Sequence, residues 1–134
     1  MKTSIFIAAI TLFFASCSLE KPNTEKAKQV VENCLKAIDK GDVKTVREEY
    51  YTSEFVRAET EEQLAEKFKK LKEVTGAMKS FEMVQNAVQE ETGEEASVLL
   101  TYLVKHDRVT TREEFVVVVE SGKHKISSHL ISNE

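Results

Sequence analysis

The sequence predicts an α+β domain in which three N-terminal helices pack on a curved four-stranded antiparallel sheet. Two observations predict it. Up to Gly76 the apolar residues recur at the three-and-four spacing of a helix face, and beyond Gly76 they alternate with period two. Two short turn signals, His106-Asp107 and Ser121-Gly122, then fold successive strand patterns into registers that agree on which side is apolar. With 134 residues, 41% of them hydrophobic and 31% charged, the chain suits one such domain and not two.

The first helix is expected from Thr24, as its cap, to about Lys40. Ala27, Val30, Val31, Cys34, Leu35 and Ile38 form its apolar stripe, and Lys40-Gly41 is a suitable C-terminus. Asp42 caps a second, short helix with Val43, Val46 and Tyr50 on one face. Residues 52–58 read as a loop anchored by Phe55. Thr60 and Gln63 form a capping-box pattern that opens the third helix, whose stripe is Leu64, Phe68, Leu71 and Val74. The lysines on its other faces, Lys67, Lys69, Lys70 and Lys72, are expected to be solvated.

Strands are expected at about 78–89, 96–105, 109–120 and 123–132, with Thr92-Gly93 as the first break. Glu90, Glu91, Glu94 and Glu95 crowd that break, but no alternating Asp/Asn pattern makes it a calcium loop. A two-residue turn at Ser121-Gly122 sets Val117 opposite Ile126, Phe115 opposite Ser128 and Glu113 opposite Leu130. A two-residue turn at His106-Asp107 sets Val104 opposite Val109, Tyr102 opposite Thr111 and Leu100 opposite Glu113. Val98, Leu100, Val104, Phe115, Val117, Val119, Ile126 and Leu130 then share the core side. Leu99, Leu103, Val116, Val118 and Ile131 lie on the other side, together with His129.

Residues 1–16 read as a secretory leader: Lys2, an apolar run from Ile5 to Phe14, then Phe14-Ala15-Ser16-Cys17. That last segment resembles a lipobox. It implies a bacterial lipoprotein whose mature chain starts at a lipid-bearing Cys17, with 17–23 as a tether and 24–134 as the domain. The apolar run is too short to span a bilayer. With Cys17 acylated, Cys34 has no partner and is expected as a buried free thiol. The net charge of −4 argues against nucleic acid as a partner. It suits a domain held beside the membranes of the cell envelope without lying on them. The outer membrane is favoured where the cell has two.

Ala37-Ile38-Asp39-Lys40-Gly41-Asp42, Tyr50-Tyr51 with Phe55, and the closing Ser121-Gly122-Lys123-His124-Lys125-Ile126 carry a resemblance to the nuclear transport factor 2-like superfamily, also called cystatin-like or SnoaL-like. Many small bacterial lipoproteins look similar. The resemblance implies a conical α+β fold, and dimers through the sheet in related folds. Leu99, Leu103, Val116 and Val118 make that pairing an expectation here; a face shielded by curvature or by the chain's own ends is the alternative. Enzymes of the superfamily need an Asp or His deep in the cone, and the predicted register places no such set there.

The candidate pocket is Glu113 with Tyr102, Thr111 and Ser128. A carboxylate on the core face would be desolvated and able to act as acid, base or ligand anchor, unless it lies at the rim in solvent. His106, His124 and His129 have no metal-site spacing, and phosphate-loop, CxxC, HExxH and G-x-S-x-G motifs are absent, so neither metal nor cofactor is expected. One carboxylate without a second carboxylate or a nearby His favours a non-catalytic binding or interaction module, with a small apolar ligand in the cone or none. The alternative is an isomerase- or hydrolase-like enzyme using Glu113.

Overall fold

The computed structural model describes residues 21–90 and 95–134. The leader, Cys17 and the Thr92-Gly93 break lie outside the described residues. Helix α1 (Thr24–Asp39) is capped one residue earlier than expected, by Asn23 in place of Thr24, with the Asn23 side chain accepting from Lys26 N–H. Its stripe is buried as expected: Ala27, Val31 and Cys34 have no exposed surface. Gly41 ends it at φ 75°. Asp42 Oδ1 accepts from Thr45 N–H at 3.3 Å and opens α2 (Val43–Thr45), which runs on into a π-helical turn, Val46–Tyr50.

The expected loop after Tyr51 is instead a helix, α3 (Ser53–Ala58), capped by Thr52 Oγ1 accepting from Phe55 N–H. Helix α4 (Glu61–Thr75) has both bonds of the capping box, Gln63 N–H to Thr60 Oγ1 at 3.1 Å and Thr60 N–H to Gln63 Oε1 at 2.9 Å. The helices among the described residues thus number four rather than three. The third was hidden because six residues are too few to show a helical period. At the end of α4 the buried position is Thr75, while Val74 is 70% exposed.

The sheet runs in chain order, β1 (Met78–Gln89), β2 (Ser97–His106), β3 (Thr110–Glu120) and β4 (Lys123–Asn133), all antiparallel. The β2–β3 turn is centred on Asp107-Arg108, with His106 N–H bonded to the Val109 carbonyl. It therefore sets Val104 opposite Thr111, Tyr102 opposite Glu113 and Leu100 opposite Phe115. That differs from the expected register by two residues. An even shift exchanges partners but leaves each side chain on its face, so the core face of β2 and β3 survives.

The β3–β4 hairpin does not survive intact. It starts as expected, with Val119 opposite His124 and Val117 opposite Ile126, over a turn with Ser121 at φ 51° and Gly122 at φ 77°. A bulge at Ser127-Ser128 then slips the strand by one residue. Beyond it Val116 faces Ser128, Phe115 faces His129, Glu114 faces Leu130 and Glu113 faces Ile131. An odd slip turns over every later side chain. Ser128 and Leu130, expected inside, lie on the other face, and Leu130 is 63% exposed. His129 and Ile131, expected outside, point inward.

The core fills the concave side of the sheet. Leu100, Tyr102, Phe115 and Ile126 are fully buried against the α1 stripe, Val46 and Phe68, with Phe55, Phe81 and Met83 packed at the margin.

Candidate functional site

The bulge in β4 assembles a polar cluster inside this apolar core. Glu113 is 4% exposed, so it is not a rim residue. Its Oε1 accepts from His129 Nε2 at 2.8 Å, and its Oε2 accepts from the Thr111 hydroxyl at 2.7 Å. Since Thr111 gives its proton to the carboxylate, its Oγ1 is the acceptor for His106 Nε2 at 3.2 Å. His106 Nε2 also stands 4.0 Å from Oε2. The His129 ring stacks on Phe115, centroids 4.1 Å apart and planes 20° apart, and Phe115 meets Tyr102 edge-on.

Two opposing effects set the charge of Glu113. Burial pushes its pKa up. The hydrogen bond and charge of His129 pull it down, with help from Thr111 and His106, and the balance holds the carboxyl below the ordinary glutamate range. The raised pKa expected of a desolvated carboxylate is thereby reversed. Cys34 is a buried free thiol as expected, and burial, then the charge of Glu113, push its pKa up. Such a thiol is inert.

Of the four candidate pocket residues, the structure brings together Glu113 and Thr111. Tyr102 lies opposite Glu113 on the same face, but its hydroxyl is buried without a hydrogen-bond partner among the described residues. Ser128 is turned away by the bulge. His106 and His129 are the members that sequence reasoning missed, and the absence of a nearby His is corrected here. Glu114, on the other face of β3, faces Leu130 and stands 3.8 Å from Arg112. Among the described residues, no three His, Cys, Asp or Glu side chains are grouped to hold a metal ion.

Little space adjoins the carboxylate. A cavity of about 30 Å³ beside Glu113, His106 and His129 is also lined by Leu35, Phe68 and Met78, among others. That is the liquid-volume share of about one water molecule. A larger cleft of about 270 Å³ lies outside it, with His129 in its wall. Tyr51, Phe55, Val56, Leu64, Phe68, Leu130 and Ile131 give it an apolar lining, and Arg47, Glu59 and Lys67 give it charge.

The π-helical turn places Arg47 at this cleft. Its closing bond runs from Tyr51 N–H to the Val46 carbonyl at 3.0 Å. Such a turn leaves carbonyls without helical partners. Lys125 Nζ satisfies two of them, donating to the Glu48 and Glu49 carbonyls at 3.0 and 2.7 Å. Thr52 N–H bonds the Ile126 carbonyl at 3.0 Å, so β4 clamps the segment from both sides. Arg47 makes long contacts, to the Val56 and Glu59 carbonyls at 3.4 and 3.3 Å and to Glu61 at 3.9 Å. Its Nε is buried with no acceptor among the described residues. An orphaned buried donor costs about 1–3 kcal/mol.

No protein-family model and no curated protein matches this sequence. Among solved structures the chain is similar to Aln2 from a Streptomyces species, at 13% identity and a TM-score of 0.52, over 85% of this chain and 94% of that one. At that identity the likeness is one of fold alone. It agrees with the nuclear transport factor 2-like architecture of helices on a four-stranded antiparallel sheet.

Proposed function

We propose that this chain is a lipoprotein of the bacterial cell envelope, anchored by lipid on Cys17, whose domain binds a small ligand and does not catalyse a reaction. The observation that carries the binding reading is the commitment of Glu113. Both of its oxygens accept hydrogen bonds from the protein, and the cone around it is filled, so it has no substrate proton within reach. The cleft beside His129 is a space that a ligand can enter. The tether supports the same picture. Asn23 N–H bonds His124 Nε2 at 2.8 Å and Lys21 pairs with Glu90 at 3.2 Å, so the chain enters at the Ser121-Gly122 end of the sheet. The cleft lies about 15 Å further along β4 at strand rise. It is held clear of the membrane to which the tether leads.

Intact mass after expression in a bacterial host should show acyl additions on Cys17, and Cys17→Ser should move the protein from membrane to soluble fractions. An unmodified wild type, freely secreted, removes the anchor from this reading. Native mass spectrometry of protein purified from that host should show a small molecule retained by the domain. Pairing of two copies through the back of the sheet is part of the proposal. Leu99, Leu103 and Val116 are partly exposed there, although Val118 is buried. Sedimentation of delipidated protein should show a dimer, and a monomer at high concentration would count against it.

One observation favours a second reading, a small enzyme. A carboxylate that accepts from His Nε2–H fixes the ring tautomer and leaves Nδ1 as a basic lone pair, the arrangement of a general base. His129 lies in the cleft wall. If substrate screening finds a reaction that His129→Gln abolishes while the fold persists, the enzyme reading replaces the binding one.

A further inference from the structure

We infer that the cleft between the π-helical turn, α3, α4 and β4 is a site for a compact apolar monocarboxylate, with Arg47 as the anchor of its anionic end. The inference rests on the binding reading above and adds the ligand's class. Three features on the cleft wall converge on it.

The first is charge. The lining holds two cations, Arg47 and Lys67, and one carboxylate, Glu59. Glu59 stands 3.3 Å from Lys67, so that pair is largely self-neutralised. Arg47 is left with its nearest carboxylate, Glu61, at 3.9 Å, and Glu61 is itself half exposed to screening water. A ligand anion meets a net positive wall.

The second is hydrogen bonding. The Nη2 contacts of Arg47 are long, 3.4 and 3.3 Å, and Nη1 meets Glu61 only at 3.9 Å, so the guanidinium is weakly held by its own partners. A guanidinium satisfies a carboxylate with two parallel donors, which a point-charge cation does not. The clamped π-helical turn holds the base of this side chain, since Lys125 and Ile126 bind the segment on either side of Tyr51.

The third is shape and polarity. Away from Arg47 the wall is Tyr51 against Phe55, ring centroids 4.3 Å apart and planes tilted by 40°, with Leu64 and Phe68. The volume, about 270 Å³, is just under the usual range for small-molecule pockets, about 300–1,000 Å³. That excludes a long acyl chain and fits a single short body. The other cation of the wall, Lys67, is held by Glu59 at 3.3 Å, so the lining suits one negative charge better than two.

Octanoate, octanamide and octylammonium share one body and differ in charge. Titration calorimetry on the delipidated full domain should give octanoate at least ten-fold tighter binding than octanamide, and no octylammonium binding. Arg47→Met should erase the preference for octanoate over octanamide. Because Arg47 also ties down α3, Lys67→Glu serves as a second variant: at an exposed position on the cleft wall it should keep the fold and weaken octanoate more than octanamide. Equal affinity for octanoate and octanamide, a preference for octylammonium, or a preference that survives both substitutions overturns the inference. If a neutral or cationic molecule instead co-purifies in the cleft, the binding reading stands and the carboxylate is wrong. If neither a probe nor a co-purified molecule is held, both fall.

Discussion

Replacement of Glu113 by alanine is expected to destabilise the domain by about 3–5 kcal/mol, the cost of removing one partner from a buried charged network. The carboxylate is the hub of that network. Without it His129 Nε2–H and the Thr111 hydroxyl lose their acceptor in the apolar core, and His106 keeps only Thr111. Each orphaned polar group adds a desolvation cost, which the room for about one water in the adjoining cavity of about 30 Å³ offsets only in part. Glu113→Gln should cost less, because its carbonyl oxygen can still accept from His129, but the charge-assisted character of the bond is lost. Urea unfolding of the two variants against wild type checks the order. A Glu113→Ala domain as stable as wild type would show that the cluster does not hold the core together.

The same site fixes the acid limb of stability. The folded state holds Glu113 below the ordinary glutamate pKa, which is about 4.3 in an unfolded chain. Above about 4.3 both states are ionised there, and the stabilisation is fully present. As pH falls below that value the unfolded state takes up a proton that the folded state still refuses, so stability declines. It is lost once the pH has passed through the folded pKa. Glu113→Gln should therefore flatten the fall of the unfolding midpoint below about pH 4.3.

The helix ends and most of the sheet were legible because their signals are local. Asp42 and the Thr60/Gln63 box cap where their spacing says, and Ser121-Gly122 turns where two strand patterns meet. The β2–β3 register was misjudged by two residues at no cost to the faces, since the side-chain period is also two. The bulge was different. Ile126, Ser128 and Leu130 continue an unbroken apolar-inward alternation on paper, and nothing in Ser127-Ser128 resists it. Hydrophobic patterning prefers Leu130 inside. What opposes it is Glu113, already committed to the core by Leu100, Tyr102 and Phe115 on either side. A buried carboxylate needs donors. With the slip, His129 supplies one and Leu130 goes out to the other face. The site was therefore hidden by the same step that built it: the slip brings His129 to Glu113 and exchanges Leu130 for Ile131 on the inner face. Arg47 was invisible for a related reason, since a π-helical turn has no composition of its own and is held by Lys125, far away in the chain.

Gly76→Ala is expected to cost about 3 kcal/mol or more, from two separable sources. Gly76 ends α4 at φ 83° and ψ −176°, a region that essentially glycine alone adopts. A side chain there would also collide with Asp107, whose Cβ lies 2.6 Å from the position an added Cβ would take. Asp107 cannot simply swing away. Its backbone N–H bonds the Ala77 carbonyl at 3.0 Å, its Oδ2 accepts from Ala77 N–H at 3.0 Å, and Arg108 N–H bonds the Thr75 carbonyl at 3.0 Å. The β2–β3 turn is thereby locked on the α4–β1 junction, where helical packing passes into the sheet. In a domain of this size such a loss should lower Tm by about 10 °C or more. Asp107→Gly in the same chain separates the sources: it removes the colliding Cβ but leaves the backbone strain, so the pair should be less destabilised than the sum of the single changes. A Gly76→Ala domain melting within a degree or two of wild type would mean that the junction yields easily and does not fix the turn.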